Sequence, residues 1–275
     1  MEGDAYSKIQ IDGRLKSPLE YACEQGNLDA CRWLYANGKS EDITRVDSNG
    51  VTPMYIACYY GHLSVCQWLF EVGASADITR AKNNGCTPMY IACYYGHLSV
   101  CQWLFEVGAS ADITRVNNNG TTPMYAACYS GPLSVCQWLF EVGASADITR
   151  ANNDGFTPMW IACFEGHLSV CQWLFEVGAS ADITRADNDG VTPMLIACLK
   201  GHLSVCQWLF EVGASADITR ANDKGTTPMY VACDNGHLSV CQWLFEVGAS
   251  ADITRANNHG ITSMLIACFN GHLSV

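Results

Sequence analysis

Eighteen residues, 63–80 (LSVCQWLFEVGASADITR), recur without a change six times at an interval of 35. The copies begin at Leu63, Leu98, Leu133, Leu168, Leu203 and Leu238. A fixed period of this size marks tandem structural units, each too small to bury its apolar face alone and each covered by its neighbours. The repetition also makes the chain its own comparison, because some positions never change between copies while others change freely.

One unit, residues 50–84, can be read locally. Thr52 followed by Pro53 predicts a helix start, a hydroxyl for the free amides and then a ring that needs no donor. Helix one is predicted over 53–60, ended by a left-handed Gly61, and helix two over 63–72, ended by Gly73. In helix two only Ser64, Gln67 and Glu71 are polar, and their spacing puts them in one stripe, so the rest of its circumference should be buried. Ala57 and Cys58 are small enough to let the two helices approach. Helices of this length do not persist alone in water, so stacking between repeats must supply the stability. Residues 74–84, rich in Asn, Asp and Ser, read as an extended loop or hairpin projecting from the stack.

Along the chain, residues 1–14 form an N-terminal extension and 15–49 a divergent capping repeat. Residues 50–259 hold six near-identical repeats, and 260–275 a truncated eighth. Glu20, Glu24, Gln25, Asn27, Asp29 and Asn37 make the first repeat more polar, as an end repeat needs to be. The eighth carries Ser263 where the others have Pro. It stops in the first turn of its second helix, so fraying is expected over 260–275 and the chain reads as a fragment or an incomplete repeat expansion.

The pattern G-x-T-P-M-Y-x-A-C-x-x-G-H-L-S-V-C-Q-W-L-F-E-V-G-A is similar to the ankyrin repeat, over about residues 15–275. Three features depart from that family. The period is 35 instead of about 33, with Ser75 and Ala76 as the insertion. The family's His after Thr-Pro-Leu is replaced by Tyr55, Tyr90, Tyr125, Trp160, Leu195, Tyr230 or Leu265. Thr79 stands where some members carry a hydroxylated Asn. The resemblance implies an all-α fold, a helix-turn-helix solenoid with projecting hairpin loops. It also implies function by protein binding on a concave face made by the hairpins and helix one.

Composition narrows the partners. The chain has 27 acidic and 15 Lys or Arg residues, a net charge of −12, so nucleic acid is not an expected ligand. No apolar run approaches transmembrane length, and the N-terminal residues lack the apolar core of a signal peptide. Of 16 cysteines, all but Cys86 occupy the repeat positions of Cys58 and Cys66, within helical apolar pattern. They read as small buried hydrophobes, reduced, in a cytoplasmic or otherwise reducing intracellular compartment.

Cys58, His62 and Cys66 form a C-x3-H-x3-C pattern that raises the question of zinc or of a Cys-His nucleophile. Pro132 takes the His position in one copy while both of its cysteines stay, and many equivalent copies do not make one asymmetric active site. No metal, cofactor or enzymatic activity is expected.

The positions that vary lie outside helix two. Before the second Gly of each repeat stand Tyr59 and Tyr60, Tyr94 and Tyr95, Tyr129 and Ser130, Phe164 and Glu165, Leu199 and Lys200, Asp234 and Asn235, and Phe269 and Asn270. The residue after the first Gly and the hairpin tips vary as well. A constant scaffold with a variable face predicts a recognition surface for a protein or peptide. Its candidate contacts are Tyr59, Tyr60, Tyr94, Tyr95, Tyr129, Phe164, Glu165, Leu199, Lys200, Asp234 and Asn235, with Tyr favoured for area at low ordering cost. The alternatives are drift at exposed sites, and a structural or elastic spacer or a fragment of a larger ankyrin protein whose activity lies beyond Val275. A monomer is expected.

Overall fold

The structure, a computed structural model, describes residues 9–11 and 14–272. Leu273, Ser274 and Val275, where helix two of the eighth repeat would begin, lie outside the described residues, as does most of the N-terminal extension. Two compact units are present, Met1–Ala127 with Gln137–Ala144, and Cys128–Cys136 with Ser145–Val275.

In unit 1, strands β1 (Ile9–Ile11) and β2 (Arg14–Lys16) form a short antiparallel hairpin with Ile9 opposite Lys16. This pairing was not foreseen, and it crosses the limit expected between the extension and the first repeat. Helices α1 (Pro18–Glu24) and α2 (Leu28–Leu34) follow, then α3 (Pro53–Tyr60), α4 (Leu63–Leu69), α5 (Pro88–Tyr94) and α6 (Leu98–Leu104). Helices α7 (Pro123–Ser130) and α8 (Leu133–Leu139) give residues to both units. Unit 2 continues with α9 (Pro158–Glu165), α10 (Leu168–Leu174), α11 (Pro193–Lys200), α12 (Leu203–Leu209), α13 (Pro228–Asp234), α14 (Leu238–Leu244) and α15 (Ser263–Phe269). The fold is therefore the helical repeat class expected.

The local signals act as the sequence implies. The Thr52 hydroxyl accepts from the Tyr55 amide at 3.1 Å, with Pro53 in the first turn, and Gly61 closes α3 at φ 77°. The same cap recurs at Thr87, Thr157, Thr192 and Thr227. In helix two, Val65, Cys66 and Leu69 are fully buried while Ser64, Gln67 and Glu71 face solvent. Helical backbone runs past Leu69 and breaks at Gly73, φ 120°, a value that only glycine adopts freely.

The segment after Gly73 differs from expectation. Instead of a loop from residue 74 onward, Ser75–Thr79 forms a 3-10 turn with Asp77 and Ile78 buried. The two extra residues of the 35-residue period fall in this turn. Ala74 and Ile78 bury with it, so apolar burial outweighs the loop-like composition. The extended hairpin begins only at about Arg80, and its tip is closed by the Lys82 amide donating to the Cys86 carbonyl at 3.0 Å.

Successive repeats within each unit meet along three lines. Aromatic rings of helix two pack edge-on, Tyr35 on Trp68, Phe70 on Trp103 and Phe105 on Trp138 in unit 1, and Phe175 on Trp208 and Phe210 on Trp243 in unit 2, all at 5.8–5.9 Å. Trp33, in the first repeat, is exposed. Hairpin tips are joined by backbone bonds, Asn83 to Asn49 and Asn118 to Asn84. Turn histidines supply the third line.

Candidate functional site

Each turn histidine is turned back onto the preceding repeat. The ring Nε2 of His62 meets the Glu24 carbonyl at 2.9 Å, His97 the Tyr59 carbonyl at 3.0 Å, His167 the Tyr129 carbonyl at 3.0 Å and His202 the Phe164 carbonyl at 3.0 Å. These carbonyls lie at or near the end of helix one, where a helix has no internal donor left. The backbone at most of the variable pairs is thereby held by a recurring side chain, absent where Pro132 takes its place, a role that sequence reasoning missed although the recurring His was its signal.

That orientation also turns the His of the C-x3-H-x3-C pattern away from its cysteines. The Cys58 and Cys66 sulfurs lie 3.7 Å apart inside the repeat, while the His62 ring points to a neighbour's carbonyl. Six further pairs, from Cys23 with Cys31 to Cys233 with Cys241, are spaced 3.5–3.9 Å. Burial pushes the Cys58, Cys128, Cys163 and Cys198 thiols well above their ordinary range, which disfavours the reactive thiolate. Among the described residues no group of three or more His, Cys, Asp or Glu is placed to hold a metal ion.

In unit 1 the candidate tyrosines form one cluster. Ring centroids of Tyr59 and Tyr60 are 4.7 Å apart, of Tyr59 and Tyr95 4.3 Å, and of Tyr94 and Tyr95 4.9 Å. The Tyr95 hydroxyl donates to that of Tyr59 at 2.6 Å, and the Tyr60 hydroxyl to Glu24 Oε1 at 3.0 Å. Tyr59 and Tyr94 are half-buried, whereas Tyr60 and Tyr95 are each 42% exposed. Burial, then the bond with Tyr59, raises the Tyr95 phenol above its usual range.

In unit 2, Tyr129 is half-buried and Phe164 stacks on Trp160 at 5.6 Å, which stacks on Phe156 at 4.1 Å. The Lys200 ammonium lies 4.1 Å from the Phe164 ring centroid, a cation–π contact made by the chain itself. Glu165 and Leu199 are half-buried, and Asn235, although exposed, gives its amide to the Val231 carbonyl at 2.9 Å. Asp234 is half-buried and accepts from Asn270 at 2.7 Å. Phe156 and Trp160 vary between copies but were not grouped with Phe164; their shared face shows only once helix one is formed.

The ring that replaces the family's His reaches the next repeat. The Tyr90 hydroxyl meets Thr121 Oγ1 at 3.1 Å, and Trp160 Nε1 donates to the Val191 carbonyl at 3.1 Å. Burial, partly offset by the Thr121 bond, pushes the Tyr90 phenol up to about 12. The hairpin tips, expected to vary freely, carry a structural member: Asn83 Nδ2 donates to the Ser48 carbonyl and Asn118 Nδ2 to the Asn83 carbonyl.

No helix among the described residues is long and apolar enough to cross a membrane. Comparison with curated proteins gave no match. A family model described as "Ankyrin repeats (many copies)" matches residues 19–70, and one described as "Ankyrin repeats (3 copies)" matches residues 73–152, 110–187, 142–221 and 215–275. The capped helix pairs, the Gly-His turns and these matches along nearly the whole sequence lead to one conclusion: the chain belongs to the ankyrin repeat family.

Proposed function

We propose that this chain is a non-enzymatic protein-interaction module that presents variable side chains, on a concave face, from a constant helical scaffold. Ankyrin repeats are generally protein-binding modules, and that general role supports the reading. The observation that carries it is the contrast between residues 63–80, invariant in six copies, and the pairs ending helix one, which differ in most repeats. In unit 1 those pairs make a contiguous tyrosine cluster with two rings 42% exposed. A side chain held by its neighbours loses little freedom on binding, so each contact contributes more of its energy to affinity. The net charge of −12 favours a basic and partly apolar protein or peptide over nucleic acid. Fifteen buried, unbridged cysteines suit a reducing compartment.

A second reading, a structural spacer without a specific ligand, draws on the Tyr95–Tyr59 bond, since it gives part of the tyrosine cluster a role inside the stack. Capture of partners on the 275-residue chain, with Tyr60→Ala/Tyr95→Ala alongside, discriminates. One partner that binds saturably and is lost on the double substitution, at unchanged helicity, supports recognition. Capture of no saturable partner supports the spacer, and a partner indifferent to the substitution places the contact elsewhere.

A further inference from the structure

The first repeat breaks the pattern of the variable face with charge. Glu20 stands where later copies have Tyr55, Tyr90 or Trp160, and Glu24 where they have Tyr59, Tyr94 or Phe164. Beside them in unit 1 opens a groove of about 540 Å³, lined by Glu20, Glu24 and Asp47 and by the rings of Tyr55, Tyr59 and Tyr60, with Lys16 and Lys82 also at its wall. One of the three carboxylates is paired with a cation and two are not. Glu24 is paired with Lys16 and accepts from Tyr60, and Lys82 lies over the Tyr55 ring, 5.5 Å from its centroid. Among the described residues Glu20 and Asp47 make no close ion pair, and Arg45, paired with Asp42, acts on Glu20 only at longer range. Glu20 accepts from the Ser17 amide, and Asp47 from the amides of Asn49 and Val51.

Two further facts describe the wall of this groove. Burial raises the Glu20 carboxyl, with Asp47 and Asp42 adding to the rise against the Ser17 amide and Arg45. Tyr55, only 4% exposed, lines the same groove and its hydroxyl has no hydrogen-bond partner among the described residues. Among the described residues no three acidic, Cys or His groups are placed to hold a metal ion here.

We propose that this groove binds an arginine side chain on an extended basic segment of a partner protein, its guanidinium taken by Glu20 and Asp47 and set against the exposed Tyr60 ring. A guanidinium offers five donors in a plane, stacks on aromatic faces and is more weakly hydrated than an ammonium, which suits separate carboxylates beside tyrosines. The assignment rests on reading the chain as a protein-binding module and names the chemistry of the segment it takes.

Two substitutions remove the charge and keep the fold. Glu20→Gln retains the capping box that Glu20 makes with Ser17, since Gln serves there equally. Asp47→Asn copies what other repeats do, for Asn117 and Asn152 accept the equivalent two amides through Oδ1. The probe is a fluorescent capped peptide of Gly and Ala with two Arg, with versions carrying citrulline or Glu instead, titrated by anisotropy into the 275-residue chain at low salt. The Arg peptide is expected to bind saturably. Citrulline, or the Glu20→Gln/Asp47→Asn variant, should weaken it at least about tenfold, the scale of one charge-assisted bond, while Asp187→Asn in unit 2 leaves it unchanged. Absence of saturable binding, equal binding of the citrulline peptide, or equal loss in Asp187→Asn would overturn the proposal. If binding is lost in Tyr60→Ala/Tyr95→Ala but kept in Glu20→Gln/Asp47→Asn, the arginine assignment falls and the protein-binding reading stands.

Discussion

The hydroxyl of Tyr95 donates to the hydroxyl of Tyr59 across a repeat boundary, at 2.6 Å. Two residues of the variable face are thus also fasteners between α5 and α3. Tyr95→Phe removes the bond and keeps the ring, so it should cost about 0.5–1.5 kcal/mol, the net worth of one hydrogen bond. Urea unfolding of the single variant measures this. An unchanged midpoint would mean the two hydroxyls are not paired in solution.

Gly61 tests the turn. Its φ is +77°, and a Cβ there would lie 2.5 Å from the His97 ring, which holds the Tyr59 carbonyl. Gly61→Ala should therefore cost about 1–3 kcal/mol, combining left-handed strain with displacement of the ring. Gly260 has a similar φ of +76° but nothing within 4 Å of an added Cβ, so Gly260→Ala reports strain alone. Thermal unfolding of the pair should show the larger loss in Gly61→Ala; equal losses would remove the His97 contact from the account.

Acid should strengthen the fold before it weakens it. Asp77, Asp112, Asp147, Asp182, Asp217 and Asp252 are buried in the 3-10 turns, and one oxygen of each lacks a hydrogen-bond partner among the described residues. Burial raises their carboxyls above the ordinary 3.8, only partly countered by the neighbouring Arg. An acid with a raised folded pKa takes up its proton first in the folded state. Stability should then rise as pH falls from neutral through the raised value, and gain nothing more from these groups below 3.8. Urea midpoints across that range should show the rise, and Asp112→Asn should reduce it by the share of one of these groups. A midpoint that only declines on acidification would contradict the assignment.

Leu104 is fully buried in α6. Leu104→Ala should cost about 2–5 kcal/mol as a cavity and should split unfolding into stages, because a repeat stack loses cooperativity when an internal interface weakens. Calorimetry distinguishes this from a single transition at lower temperature.

What could be read in the sequence was what depends on neighbours in the chain. Thr52, Pro53 and Gly61 act within a few residues of themselves, so the ends of α3 were legible, and the stripe of Ser64, Gln67 and Glu71 gave the wet side of α4. The 3-10 turn at Ser75–Thr79 was not, because Ile78 is buried by packing that the residues around it do not reveal. Asp77 looks like a solvent-facing loop residue, and Asn83 like a freely varying tip, until their positions in the stack are known. The groove at Glu20 and Asp47 was hidden for the same reason: 26 residues lie between two side chains that only the stacked hairpin brings to one wall.

The most direct test of the account is amide hydrogen exchange on the 275-residue chain with and without a bound partner. Binding should slow exchange at the ends of helix one and in the hairpins, around residues 59–60, 82–84 and 94–95, and leave residues 63–72 and their copies unchanged. Protection confined to the invariant helix-two surface would show that the constant face, and not the variable one, is what this chain presents.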